Sequence, residues 1–170
     1  RLGNAVTLIS RVGNDEKGTQ LLDLLSGYGL PITHVQIDPE HETGIVYADM
    51  SDPHAVKYTI VHPVAWDYIA PDAGIKVNDS YFIFGSLCSR DKVSRNTLKQ
   101  LLTKAGTKVL DINLRAPHYT KEYIEWLLTQ CDILKLNEDE LTLILSWYYK
   151  DIDLDTGLQL LANRFSIPVI

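Results

Sequence analysis

The chain has little of what marks a secreted, membrane-spanning or nucleic-acid-binding protein. Its 170 residues include only two cysteines, Cys88 and Cys131, with no metal-type spacing to each other or to the five histidines. A disulfide framework and a Cys/His metal centre are therefore excluded as organising features, and both thiols are expected to be buried beside strands. No apolar run approaches the roughly 20 residues that span a bilayer, and no signal peptide opens the chain. Sixteen Lys and Arg stand against 22 Asp and Glu, a net charge of −6, with no basic cluster. That balance argues against nucleic acid and anionic membrane as partners, and a cytosolic location is expected.

Familiar catalytic signatures are missing too. There is no G-x-x-x-x-G-K-[ST], and the Gly13-to-Gly18 turn has neither G-x-G-x-x-G spacing nor the lysine of a phosphate loop. G-x-S-x-G, H-E-x-x-H and C-x-x-C are absent as well. Dinucleotide oxidoreductases and serine hydrolases lose weight accordingly.

What is present is an α/β rhythm in a chain of single-domain length with 45% hydrophobic residues. Val6 to Val12 reads as a strand. Asp15 is the natural N-cap of a helix carrying Leu21, Leu22, Leu24 and Leu25, which Gly27 and Gly29 punctuate. A short strand follows near Val35 to Ile37. Thr43 to Met50 and Val56 to His62 then form a hairpin joined by the turn sequence Ser51-Asp52-Pro53-His54-Ala55. With Tyr47 and Tyr58 as its aromatics, this insert over about residues 43–62 reads either as a lid or subunit surface, or as an ordinary edge hairpin.

Beyond it, strands at Ser80 to Phe84, Lys108 to Asp111 and Ile133 to Leu136, and one from Ile167 onward, alternate with helices. The helices are expected at Arg90 to Lys104, His118 to Gln130, Asn137 to Tyr149 and Asp155 to Phe165. The pattern predicts an α/β fold with a three-layer, mostly parallel sheet. Trp126 and Trp147 sit at helical spacing among apolar neighbours and read as core.

Parallel strands bring their carboxyl ends to one edge, where ligands of open α/β sheets bind. Three such ends carry polar or glycine positions: Gly85-Ser86, Asp111-Ile112-Asn113-Leu114-Arg115 and Lys135-Leu136-Asn137-Glu138-Asp139-Glu140. Asp111, Asn113 and Arg115 alternate, so on an extended backbone they share a face that suits a polyol or a phosphate. A solvated strand end with a local ion pair is the competing reading. Asn137 and Glu140, three apart at a helix start, fit either an anion site or a capping box that satisfies orphan amides without any ligand.

Taken in order, these segments resemble the ribokinase-like, or PfkB, carbohydrate kinases. Gly3 and Gly13, with nine residues between them, and the turn to Gly18 are similar to the second half of that family's amino-terminal signature. Thr43-Gly44 resembles the start of its lid, and the runs from Asp111 to Arg115 and Ile133 to Glu140 resemble its middle motifs. Pro63-Val64-Ala65-Trp66-Asp67 and Phe84-Gly85-Ser86-Leu87-Cys88-Ser89-Arg90 resemble the fructokinase branch. Ketodeoxygluconate kinases carry an Arg on the second lid strand, whereas this chain reads Val56-Lys57-Tyr58-Thr59-Ile60-Val61.

The resemblance implies a ribokinase-like, Rossmann-type fold with a small β lid, using ATP and Mg²⁺ to phosphorylate a sugar, and a homodimer formed through the lid. It implies that Lys135, Asn137 and Glu140 serve the nucleotide, with Glu140 reaching the metal through water. Gly85, Ser86, Asn113 and Arg115 would line the sugar side. The family's sugar-binding Asp strand would precede Arg1, and its Gly-Ala-Gly-Asp run with the general base would follow Ile170. One incomplete domain over 1–170 is expected, inactive by itself. A kinase-fold binding protein, a ketodeoxygluconate kinase and a nucleoside kinase are the alternatives.

Overall fold

A computed structural model describes residues 3–51, 57–72, 74–78 and 80–170. The chain divides into two compact units, Arg1–Ile75 with Asp91–Thr97, and Lys76–Arg90 with Leu98–Ile170.

In the first unit, β1 (Ser10–Gly13) pairs in parallel with β2 (Val35–Asp38), Ser10 opposite Val35 and Gly13 opposite Asp38. The strand expected over Val6 to Val12 is shorter and starts later. Helix α1 (Glu16–Gly27) joins the two strands and starts where the sequence places it: the Asp15 carboxylate accepts from the Gly18 amide at 2.7 Å. That acceptor satisfies one of the donors that every helix start leaves open. Two hydroxyls near the start of α2 (Lys92–Leu102) serve as backbone partners. Ser94 accepts from the Ile69 amide and donates to the Trp66 carbonyl, and Thr97 donates to the Ile69 carbonyl.

Strands β3 (Val46–Asp49) and β4 (Lys57–Ile60) form the antiparallel hairpin, Val46 opposite Ile60. Most of its expected turn, residues 52–55, and the first residue of its expected second strand, 56, lie outside the described residues. Val46, Tyr47 and Tyr58 are all exposed.

An ion pair ties β1 to the end of β2. The Asp38 carboxylate, 1% exposed, accepts from Arg11 Nε at 2.7 Å, from the amides of Glu40 and His41, and lies 3.2 Å from His41 Nδ1. Burial alone would raise its pKa, but these donors outweigh burial and lower it from 3.8 to about 2. Because the folded value lies below the unfolded one, the stabilisation is complete above the ordinary carboxylate range and is lost as pH falls toward the folded value. Asp38→Asn is therefore expected to cost about 2 kcal/mol at neutral pH and to flatten the acid loss of stability between about pH 5 and 2. Urea unfolding followed by circular dichroism across that range checks both; an unchanged pH slope would exclude this role.

The second unit is a parallel sheet in the order β5 (Tyr81–Gly85), β6 (Thr107–Asp111), β7 (Ile133–Lys135). The strand expected from Ile167 onward is present as a single parallel bridge from Val169 to Ile133. Phe84, Leu110 and Leu134 turn inward and pack with Leu98 and Leu102 of α2 and with three further helices. These are α3 (Lys121–Leu128), α4 (Glu138–Ser146) and α5 (Leu154–Phe165). Ile124, Leu127, Ile144 and Leu161 are fully buried, on the spacing that amphipathic helices require. Thr120 and Asp153 cap α3 and α5 by accepting from the amides of Tyr123 and Thr156. Trp126 and Trp147 pack against this core, as their spacing predicts. The chain is thus an α/β protein built on parallel sheets, as read from its sequence. Among the described residues no helix is long and apolar enough to cross a membrane.

Candidate functional site at three strand ends

Strands β5, β6 and β7 run in the same direction in adjacent positions, so Gly85-Ser86, the segment after Asp111 and the segment after Lys135 leave the sheet at one edge. Hydrogen bonds link them in series. At the first junction the Ser86 amide donates to the Ile112 carbonyl at 3.3 Å, and its hydroxyl to the Asn113 carbonyl at 3.4 Å. Gly85 fits here for lack of a side chain: a Cβ would stand 2.8 Å from the Asp111 carbonyl oxygen of the neighbouring strand. The Ser89 hydroxyl, hydrogen-bonded to Tyr123 of α3 and 3.5 Å from the Ser86 carbonyl, backs this turn.

At the second junction the Ile112 amide donates to the Lys135 carbonyl at 3.1 Å. Past that point the extended reading of Asp111 to Arg115 fails. β6 ends at Asp111, and Asn113 adopts a left-handed backbone with φ +42°. Strict alternation is therefore lost, and the three side chains do not form one row. Asn is among the few residue types that tolerate this conformation. Asp111 pairs instead with Lys135 at 3.0 Å, both largely in water, the local ion pair weighed from sequence. Arg115 Nη1 donates to the carbonyl of its own neighbour, Leu114, at 2.8 Å.

The third junction is made by Glu140. It closes a capping box on α4: its amide donates to Asn137 Oδ1 at 2.9 Å, and its Oε2 accepts from the Asn137 amide at 3.0 Å. Its other oxygen, Oε1, accepts from the Leu114 amide at 2.8 Å, across 26 residues. Glu140 is 6% exposed, so the carboxylate is a buried clasp between the loop after β6 and the start of α4. Sequence reasoning found the box but not the Leu114 amide, which carries no side-chain signal. The clasp thus joins Asn137 and Glu140 to the segment that holds Asn113. Lys135 joins through Asp111, whereas the side-chain contact of Arg115 among the described residues is the local one to Leu114.

Cys131 is buried as expected, and burial pushes its thiol up to about 11, whereas Cys88 is exposed. Cys88 sits in the short turn Leu87–Ser89 after β5, where its thiol donates to the Gly85 carbonyl. Among the described residues, no group of three or more His, Cys, Asp or Glu is placed to hold a metal ion.

Residues 1–153 match the sequence profile of the pfkB family carbohydrate kinases. The chain belongs to this family. An uncharacterized sugar kinase of Pyrococcus horikoshii is 30% identical over 158 residues, covering 82% of this chain and 49% of that protein. Its structure in complex with ATP matches 86% of this chain and 52% of that one, with a TM-score of 0.79. The 2-dehydro-3-deoxygluconokinase of Thermoproteus tenax is 26% identical over 108 residues, 64% of this chain and 32% of that enzyme. Fructokinase from Vibrio cholerae, in a form with fructose, ADP and calcium, is 21% identical. It covers 99% of this chain and 57% of that one with a TM-score of 0.81, a likeness of fold. The chain thus spans half or less of the length of these curated relatives. PfkB kinases therefore provide both the family and the fold of this chain.

Proposed function

We propose that this chain is part of an ATP-dependent sugar kinase, fructokinase-like, which transfers the γ-phosphoryl group to a sugar hydroxyl. The observation that carries the reading is the hydrogen-bonded series across three parallel strand ends, closed by Glu140, in a chain of the pfkB family. Phosphoryl transfer asks a protein mainly to position groups and to neutralise spreading charge. Asn137 and Lys135 serve the nucleotide phosphates, and Gly85, Ser86, Asn113 and Arg115 serve the sugar side.

The acidic first turn of α4, Glu138, Asp139 and Glu140, suits the helix dipole but repels a bare triphosphate. A hard cation resolves that conflict, and the donor set fits Mg²⁺ held through phosphates and water better than a cage of protein ligands. Glu140, each of whose oxygens already accepts one amide, keeps a lone pair on each, and we assign these to water in the hydration shell of such an ion. Bound Mg²⁺ would supply charge neutralisation at the phosphates.

No residue of this chain is assigned as general base, since the family's Gly-Ala-Gly-Asp run does not occur in it. A homodimer through the exposed hairpin and a cytosolic location complete the proposal. ADP release by the full-length protein against fructose, ribose, ketodeoxygluconate and adenosine tests it, with light scattering on the same preparation reading the dimer. Fructose is expected to give the highest kcat/KM, and these 170 residues alone no turnover. Preference for ketodeoxygluconate or adenosine would reassign the substrate, and no ADP release with any of the four would favour a kinase-fold binding protein.

A further inference from the structure

One carboxylate in the first unit does more than a helix cap requires. Asp15 Oδ1 accepts from the Gly18 amide at 2.7 Å, which completes the cap. The same oxygen also accepts from the Thr43 hydroxyl at 2.8 Å, and Oδ2 accepts from the Thr43 amide at 2.7 Å, across 28 residues. The Thr43 hydroxyl accepts in turn from the Gly13 amide at 2.9 Å. The amides of Thr43 and Gly18 hold the Asp15 carboxyl below its ordinary value, so it is ionised and both oxygens accept.

Thr43 is buried, and the residues beside it are held from the other side. The Ala65 amide donates to the Glu42 carbonyl at 2.8 Å. Gly44 lies so close to the Trp66 indole that a Cβ there would stand 2.2 Å from Nε1. The hairpin ladder begins directly afterwards, with the Val61 amide donating to the Ile45 carbonyl at 3.1 Å. β3 itself is exposed along its whole length. The hairpin is therefore fixed at its root and uncovered above it.

We infer that Asp15 is a positioning residue: with Thr43 it anchors the root of the β3–β4 hairpin to the β1–α1 turn, so that the hairpin moves as a unit above a fixed root. Motion of the hairpin then begins beyond Thr43, and the β1–α1 turn stays still.

Two substitutions separate the anchor from the cap. Asp15→Asn keeps an oxygen for the Gly18 amide but turns an NH₂ toward the Thr43 amide, donor against donor. Thr43→Val removes the hydroxyl without touching the cap, and Thr43→Ser restores it. In this chain, amide hydrogen exchange over residues 45–49 and 57–61 is expected to accelerate about tenfold or more in D15N and T43V, and to stay within about twofold of the parent in T43S. Exchange in Leu110–Leu114 should not change. Hairpin exchange unmoved in both D15N and T43V, or moved equally in T43S, overturns the inference.

Discussion

Glu140→Ala is expected to lower the unfolding free energy by about 3 kcal/mol and to melt the protein roughly 10 °C earlier. The substitution leaves the amides of Leu114 and Asn137 without their acceptor. Each buried donor left unsatisfied costs about 1–3 kcal/mol, with water entry recovering part of it. Glu140→Gln keeps one carbonyl oxygen but turns an NH₂ toward the other amide, so an intermediate loss is expected. Glu138→Ala and Asp139→Ala, on exposed neighbours of the same helical turn, should cost about 1 kcal/mol or less. Chemical denaturation read by tryptophan emission measures all four, since Trp126 and Trp147 pack on the core of the same unit. A Glu140→Ala protein as stable as Asp139→Ala would mean that the clasp carries nothing. In the full-length protein, the loosened strand ends should also cost about a hundredfold or more in sugar phosphorylation.

Gly18→Ala should reverse the usual sign of a glycine-to-alanine change in a helix. An alanine ordinarily gains up to about 1 kcal/mol over glycine there. At position 18 the added Cβ would stand 2.2 Å from the Gly13 carbonyl oxygen and 2.9 Å from Thr43 Oγ1. The first is backbone held in β1, so relief requires moving the strand or the helix, and a loss of about 2–3 kcal/mol is expected. Gly27, at the other end of α1, has nothing within 4 Å of its ideal Cβ, and Gly27→Ala should stabilise by about 0.5–1 kcal/mol. Thermal melts of the two variants should therefore move in opposite directions. A Gly18→Ala protein that melts at or above the parent would contradict this packing.

The parts of this structure that were legible in the sequence are those whose signals are local. The β-α-β order, the Asp15 cap and the Asn137–Glu140 box each depend on residues within a few positions of one another, where periodicity and capping chemistry act. The parallel edge at Gly85, Asp111 and Lys135 followed from that order alone. What escaped is long-range or conformational. Glu140 reaches Leu114, Asp15 reaches Thr43 and Arg11 reaches Asp38 across 26, 28 and 27 residues, and no pattern in one sequence connects such partners. Alternation predicted an extended backbone from Asp111 to Arg115, past the end of the strand. The left-handed turn at Asn113 ends it, because the chain there bends to meet a carboxylate on another element. Cys88, placed beside a strand by proximity, sits on a surface turn instead.

The Glu140 clasp also bears on how a nucleotide would be received. Its carboxylate is already desolvated and oriented by the chain's own amides, so arrival of a ligand requires no recruitment of that group and little ordering of the loops it joins. Ligand-free crystals should then tolerate soaking without cracking at this edge, and the heat capacity of association should reflect contacts of the ligand itself rather than a folding event.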